Sequence, residues 1–172
     1  MSLDDIKGGR TIFIDTNILI YARTDQSAEC RQLLARCHAQ DLHGTISTFV
    51  VAEFCHRRMM QDAQSSTGLR SNPAKTLAEK PQIVRNLLVY ADDVRALLAG
   101  ELALIDIEKT DFAVALELQR QFGLLTIDSL NLAGARRLGI YEIATADTNF
   151  DHIPGLTIFK PADLPRPPTG NR

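Results

Sequence analysis

An α/β fold with a mostly parallel sheet, covered by helices on both faces, is predicted from three observations. Strand-like and helix-like segments alternate along the chain. Short runs of apolar and β-branched residues end abruptly in acidic ones, as buried parallel strands do where they reach an edge. No internal repeat interrupts the alternation. The 172 residues fit one domain. A domain of that size buries about 70% of its unfolded surface and needs no disulfide to hold it.

Thr11 to Ile14 is the first strand, a compact apolar and β-branched run. Ser27 caps a helix whose inward stripe is Cys30, Leu33, Leu34 and Cys37, spaced i, i+3, i+4, i+7. Gly44 to Ser47 gives a second strand, and a helix carrying Glu53 follows from about Thr48 to Met60. Gln61 to Pro81 is polar, with Ser65-Ser66, Gly68, Asn72-Pro73 and Pro81, and is expected to be a loop or insertion. From Gln82 a helix is expected with Ile83, Leu87, Tyr90, Val94 and Leu97 along one stripe, ended by Gly100. Leu102 to Ile107 is a strand. Lys109 to Phe122 is a helix with Phe112, Ala115, Leu116 and Phe122 inward and Gly123 as its stop. A further helix opens at Asp128 or Ser129 and runs to Leu138, and Ile140 to Thr145 and Leu156 to Phe159 close the pattern as strands. The domain thus spans residues 11–160, with 1–10 and 161–172 as flexible ends.

Composition excludes several classes. No apolar run approaches the ~20 residues of a membrane span, and MSLDDIKGGR has no hydrophobic core of a secretory leader. Cys30, Cys37 and Cys55 form an odd set without paired or finger-like spacing, which fits reduced thiols in the cytoplasm, with Cys30 and Cys37 read as buried. A formal net charge of −2 does not announce nucleic acid, so any phosphate ligand must be met through bound cations or local Arg patches.

Four acids stand out by position. Asp15 ends TIFID and Asp147 ends EIATAD, so both emerge at the carboxyl edge of the sheet, where open α/β proteins bind ligands. Asp128 follows LLTI where a helix begins, and Glu53 sits inside the apolar stretch FVVAEFC. Each also has a plain structural reading. Asp128 can be a helix cap, Glu53 can pair with Arg57 one turn on, and Asp15 and Asp147 can be turn residues. Jointly, carboxylates gathered at one edge repel unless a cation neutralises them. Oxygen-only ligands suit Mg²⁺ or Mn²⁺ better than Zn²⁺, which points to phosphodiester hydrolysis.

The motifs also resemble a family. IFIDTNILIYA, ISTFVVAEF, TIDSLNLAGARRLGI and EIATADTNFDHIPGLTIFKP resemble, in order, the four motifs of PIN-domain proteins of the VapC toxin-like ribonuclease type. That resemblance implies a three-layer α/β/α sandwich and cleavage of single-stranded RNA with Mg²⁺ or Mn²⁺. It further implies a homodimer and an antitoxin partner, with the chain as the toxin of the pair. It places Asp15, Glu53, Asp128 and Asp147 as catalytic, metal-binding carboxylates and Thr16 and Asn17 as residues shaping the first motif. Where many members carry a further Asp two residues after the fourth acid, this chain has Asn149, with Asp151 following. Two other readings compete. A haloacid-dehalogenase-like phosphatase would want an acid two residues after Asp15, where Asn17 stands. A non-catalytic PIN-like module binding RNA or a partner would have no need of all four acids. Apolar area for a homodimer interface is expected from the Ile83 to Leu97 stripe.

Overall fold

Five short strands, β1 (Thr11–Ile14), β2 (His43–Ser47), β3 (Ala103–Ile105), β4 (Glu142–Ala144) and β5 (Thr157–Phe159), carry the β-branched runs of the sequence. In the computed structural model, which describes residues 1–68 and 73–164, they form one all-parallel sheet in the order β3-β2-β1-β4-β5. The helices are α1 (Thr16–Arg23), α2 (Ala28–His38), α3 (Thr48–Thr67), α4 (Pro73–Glu79), α5 (Pro81–Asn86), α6 (Val89–Leu98), α7 (Lys109–Phe122) and α8 (Thr126–Arg137). From β1 the chain steps outward to β2 and β3, then crosses back by α7 and α8 to β4 on the other side of β1. Right-handed crossovers therefore place α1 to α6 on one face and α7 and α8 on the other, giving the three-layer α/β/α sandwich. The order reverses at β1, and Ile14 pairs with Ala144, so the carboxyl ends of β1 and β4 lie side by side.

The main core fills both faces of the sheet, with Ile12, Ile14, Ile18, Ile46, Leu130, Leu132 and Ile143 essentially sealed from solvent. Cys30, Leu33 and Cys37 are buried as their spacing predicts. Burial pushes both thiols up to about 11, which makes them inert core groups.

Several expectations are corrected. The segment 61–81 is largely helical: α3 runs on to Thr67 and ends at Gly68 in the left-handed region (φ 69°), and α4 follows. Positions 69–72 lie outside the described residues. A second, small core explains the helices. Ala63, Leu77 and Leu87 are buried there, packed by Met59, Met60, Ile83, Val84 and Tyr90. Asp62 is buried in it and accepts the Tyr90 N–H at 3.1 Å and the Ser66 hydroxyl at 3.0 Å, so a residue of α3 caps the start of α6. The helix expected from Gln82 breaks at Leu87–Leu88 into α5 and α6. Its stripe packs into the two cores, so it does not supply a free interface.

The ends are also tied down. Leu3 and Ile6 are buried, and the Leu3 N–H donates to the Lys160 carbonyl. Asp163 accepts the Ser27 hydroxyl and the Ala28 and Glu29 N–H groups, capping α2. Positions 165–172 lie outside the described residues. On α7, Ala115 is inward as expected, but Phe112 and Leu116 are exposed. The helix is turned so that Asp111 is buried against Arg137, with Nε to Oδ1 at 3.0 Å.

Candidate active site

Asp15 stands where β1 passes into α1. It is 8% exposed, caps the helix, and takes hydrogen bonds from three donors. Oδ1 accepts the Thr16 N–H at 2.7 Å, while Oδ2 accepts the Thr145 hydroxyl at 2.6 Å and the Asn17 amide. The sequence leaves Asp15 open to a plain turn reading, but Thr16 and Asn17 begin a helix and work toward the acids. The Thr16 hydroxyl donates to Glu53 Oε2 at 2.9 Å, and Asn17 Oδ1 accepts the Ala146 N–H at 2.9 Å. Glu53 lies on α3 and is half-buried, with Arg57 at 3.7 Å from its other oxygen. The pairing foreseen as a structural reading is therefore present, alongside a link to the first motif.

Asp128 is in the first turn of α8 and makes no cap, since Leu125 is the N-cap residue and no side chain caps the helix. Asp147 lies in the loop after β4. Its Oδ1 accepts the Asn149 N–H at 2.9 Å and its Oδ2 the Asn149 side-chain amide at 3.1 Å, so it shapes its own turn while belonging to the acidic group. Asn149 thus braces the turn at Asp147, whereas Asp151 is engaged with Lys160 Nζ at 2.6 Å. Two residues that sequence reasoning missed hold the site together. Thr145, fully buried, joins Asp15, Asn17 and the Asp147 backbone. Ser47 donates to Asn131 Oδ1 at 2.6 Å, both buried, joining the α3 end that leads to Glu53 with the helix that bears Asp128.

Asp15 and Asp128 register the charges of their acidic neighbours. Burial lifts the Asp15 carboxyl from 3.8 to about 6. The Thr145 and Thr16 hydrogen bonds oppose that lift, and the charges of Asp128 and Glu53 add to it. Asp128 is also raised, by burial and then by the charge of Asp147, with Asn149 pulling the other way and Glu53 adding. Asp15 therefore holds a proton more tightly folded than unfolded. This costs the fold stability as pH rises through the window from 3.8 to about 6, and the cost is fully present above it. In EDTA, the Tm of Asp15→Asn relative to that of the unaltered chain is expected to rise from pH 5 to pH 7.5, reaching or slightly passing parity at the upper end. A difference that does not change with pH contradicts a buried charge at Asp15.

The donor set suits a hard divalent cation: all oxygen, anionic and mutually repelling. Among the described residues, no three Asp, Glu, His or Cys side chains close on one point to hold a metal. Mg²⁺ does not need such a cage, because it is commonly bound by one or two carboxylates with water and substrate phosphate.

Comparison with known proteins agrees with the fold. The PIN domain model matches residues 12–156. No curated protein matches the chain. Among solved structures, VapBC2 from Rickettsia felis bound to a promoter DNA fragment is 20% identical, with TM-score 0.58, covering 87% of this chain and 98% of that one. DNA-bound VapBC from Salmonella typhimurium is 16% identical, with TM-score 0.56 and 87% and 97% coverage. Mycobacterium tuberculosis VapC20, a sarcin-ricin loop cleaving toxin, is 16% identical, with TM-score 0.53 and 81% and 92% coverage. At these identities the likeness is one of fold.

Proposed function

This chain belongs to the PIN domain family, and on that premise we propose that it is a metal-dependent endoribonuclease that cleaves single-stranded RNA, acting as the toxin of a toxin–antitoxin pair. The observation that carries the reading is the reversal of strand order at β1. It sets Asp15 beside the segment leading to Asp147, within range of the charges of Glu53 and Asp128. Asp15, Glu53, Asp128 and Asp147 would hold Mg²⁺ or Mn²⁺. Such a cation supplies an activated water and charge neutralisation on the scissile phosphate. The chain's own residues do the rest. Thr16 orients Glu53, Asn17 and Thr145 orient Asp15, and Asn149 braces Asp147. Arg57, beside Glu53 and part-exposed, is placed to meet a phosphate oxygen.

Partners follow the same reading. An apolar groove lined by Leu19, Ala22, Leu34, Phe54 and Leu97 offers a seat for an apolar segment of an antitoxin. The exposed side chains Leu98, Leu104, Phe112 and Leu116 offer apolar area for a homodimer. Three free cysteines suit the reducing cytoplasm. Among the described residues, no helix is long and apolar enough to cross a membrane.

The test is digestion of a mixed single-stranded RNA pool with Mg²⁺, with Mn²⁺ and with EDTA. Cleavage is expected with either metal and none in EDTA. Undiminished cleavage in excess EDTA overturns the metal-dependent reading, and RNA binding without cleavage under any condition favours the non-catalytic module.

A further inference from the structure

We propose that Thr145 is a positioning residue whose hydroxyl selects the Asp15 oxygen left to face a cation, and ties that choice to the loop bearing Asp147. The inference rests on the metal-site reading above.

Thr145 is the first residue after β4 and is completely buried. Its backbone is pinned to the sheet, its N–H donating to the Phe159 carbonyl at 3.0 Å. A threonine hydroxyl has one proton to donate and two lone pairs, and all three are used here. Oγ1 accepts the Asn17 Nδ2 proton at 3.1 Å and the Asp147 N–H at 3.0 Å. Both partners are pure donors, so the hydroxyl proton goes to Asp15 Oδ2, at 2.6 Å. The Asn17 amide cannot flip without losing its bond from the Ala146 N–H to Oδ1. The direction of each proton in the network is therefore set by protein groups alone.

The consequence for Asp15 is asymmetry. Oδ2 receives two donors, from Thr145 and Asn17, whereas Oδ1 receives the Thr16 N–H alone and keeps a lone pair. Oδ1 is then the oxygen offered to a cation, and Oδ2 is the anchor that stops the carboxylate rotating. Because the same hydroxyl holds the Asp147 N–H, a shift of that loop is felt at Asp15. Thr145→Val keeps the volume and removes the hydroxyl. It frees Asp15 to rotate and leaves two N–H groups without their acceptor. Thr145→Ser keeps the hydroxyl.

The experiment follows the thermal stabilisation of the full chain across a Mn²⁺ titration, for the unaltered protein, Thr145→Val and Thr145→Ser, with RNA cleavage kinetics alongside. Groups that orient metal ligands commonly change affinity by about 10- to 100-fold, so half-maximal stabilisation should need at least about tenfold more Mn²⁺ in Thr145→Val and within about threefold of the original in Thr145→Ser. Turnover should fall in kcat with KM unchanged in the valine variant. A valine variant that is less stable in EDTA yet has an unaltered Mn²⁺ midpoint overturns the proposal, leaving a merely structural hydroxyl. A serine variant that fails to restore the midpoint also overturns it. If the valine variant does not fold, Thr145→Cys, of similar volume and a weak donor, is read by the same criteria. An unaltered protein that neither responds to Mn²⁺ nor cleaves RNA defeats the metal-site reading itself. A normal response shared by the unaltered and valine proteins defeats the Thr145 inference alone.

Discussion

Asp15→Asn is expected to lower turnover of single-stranded RNA about a thousandfold while the chain stays folded. Loss of a carboxylate on which a cation's charge stabilisation depends removes about 4 kcal/mol from the transition state, which corresponds to that factor. The fold should tolerate the change because two effects oppose each other. Neutralising a buried carboxyl lifted from 3.8 to about 6 relieves about 3 kcal/mol at neutral pH. Asparagine, however, has one oxygen for three donors, so the Thr16 N–H or the Thr145–Asn17 pair must face an NH₂ group, at about 1–3 kcal/mol. The melting temperature in EDTA should thus stay close to that of the unaltered chain. Asparagine is also a good helix cap, so α1 keeps its start. Full activity in this variant would remove Asp15 from the site.

The largest effect on stability is expected away from the acids, at Asp93. Its side chain is wholly buried between Arg23 of α1 and Arg58 of α3, with Arg58 Nη2 at 2.6 Å and Nε at 2.7 Å. Arg58 is itself 11% exposed, whereas Arg23 is 56% exposed, so Arg58 is the partner that solvent cannot replace. Breaking a buried pair by removing one member typically costs about 3–5 kcal/mol; Arg23 stays in place, so the lower end applies to Arg58→Ala. For a domain this size that lowers Tm by about 6–12 °C in a thermal melt. Replacing both members, Arg58→Leu with Asp93→Leu, should recover at least half of the loss, because no buried charge is then left unpaired and Arg23 can turn to water. A double variant no more stable than Arg58→Ala contradicts this reading of the pair.

The site was legible in the sequence to the extent that charge interrupts hydrophobic pattern. Asp15 and Asp147 terminate apolar runs, and their nearness follows once β1 and β4 are adjacent. Thr145 was not legible, because a hydroxyl inside a β-branched run reads as strand. Only the sheet register shows that its side chain meets Asp15. The helix α1 was hidden because it is only eight residues long and starts directly from the strand at Asp15, so that Ile18, Leu19 and Ile20 follow the apolar run of β1 with only Asp15, Thr16 and Asn17 between. The residues 61–81 looked like a loop because their core contribution is sparse. Ala63 and Leu77 bury only with the help of Leu87 and the methionines of α3. On α7, Phe112 and Leu116 make a plausible inward stripe, but the helix rotation is set by the buried Asp111–Arg137 pair, a tertiary contact that local spacing cannot encode.

That the four acids form one cation site is tested most directly by calorimetric titration of the metal-free chain with Mn²⁺, beside Asp15→Asn. The unaltered protein should bind Mn²⁺ with a saturable heat, and the variant should bind at least about a hundredfold more weakly, since a ligand is lost and not merely its support. Identical isotherms for the two proteins, or no binding by the unaltered chain, would contradict it.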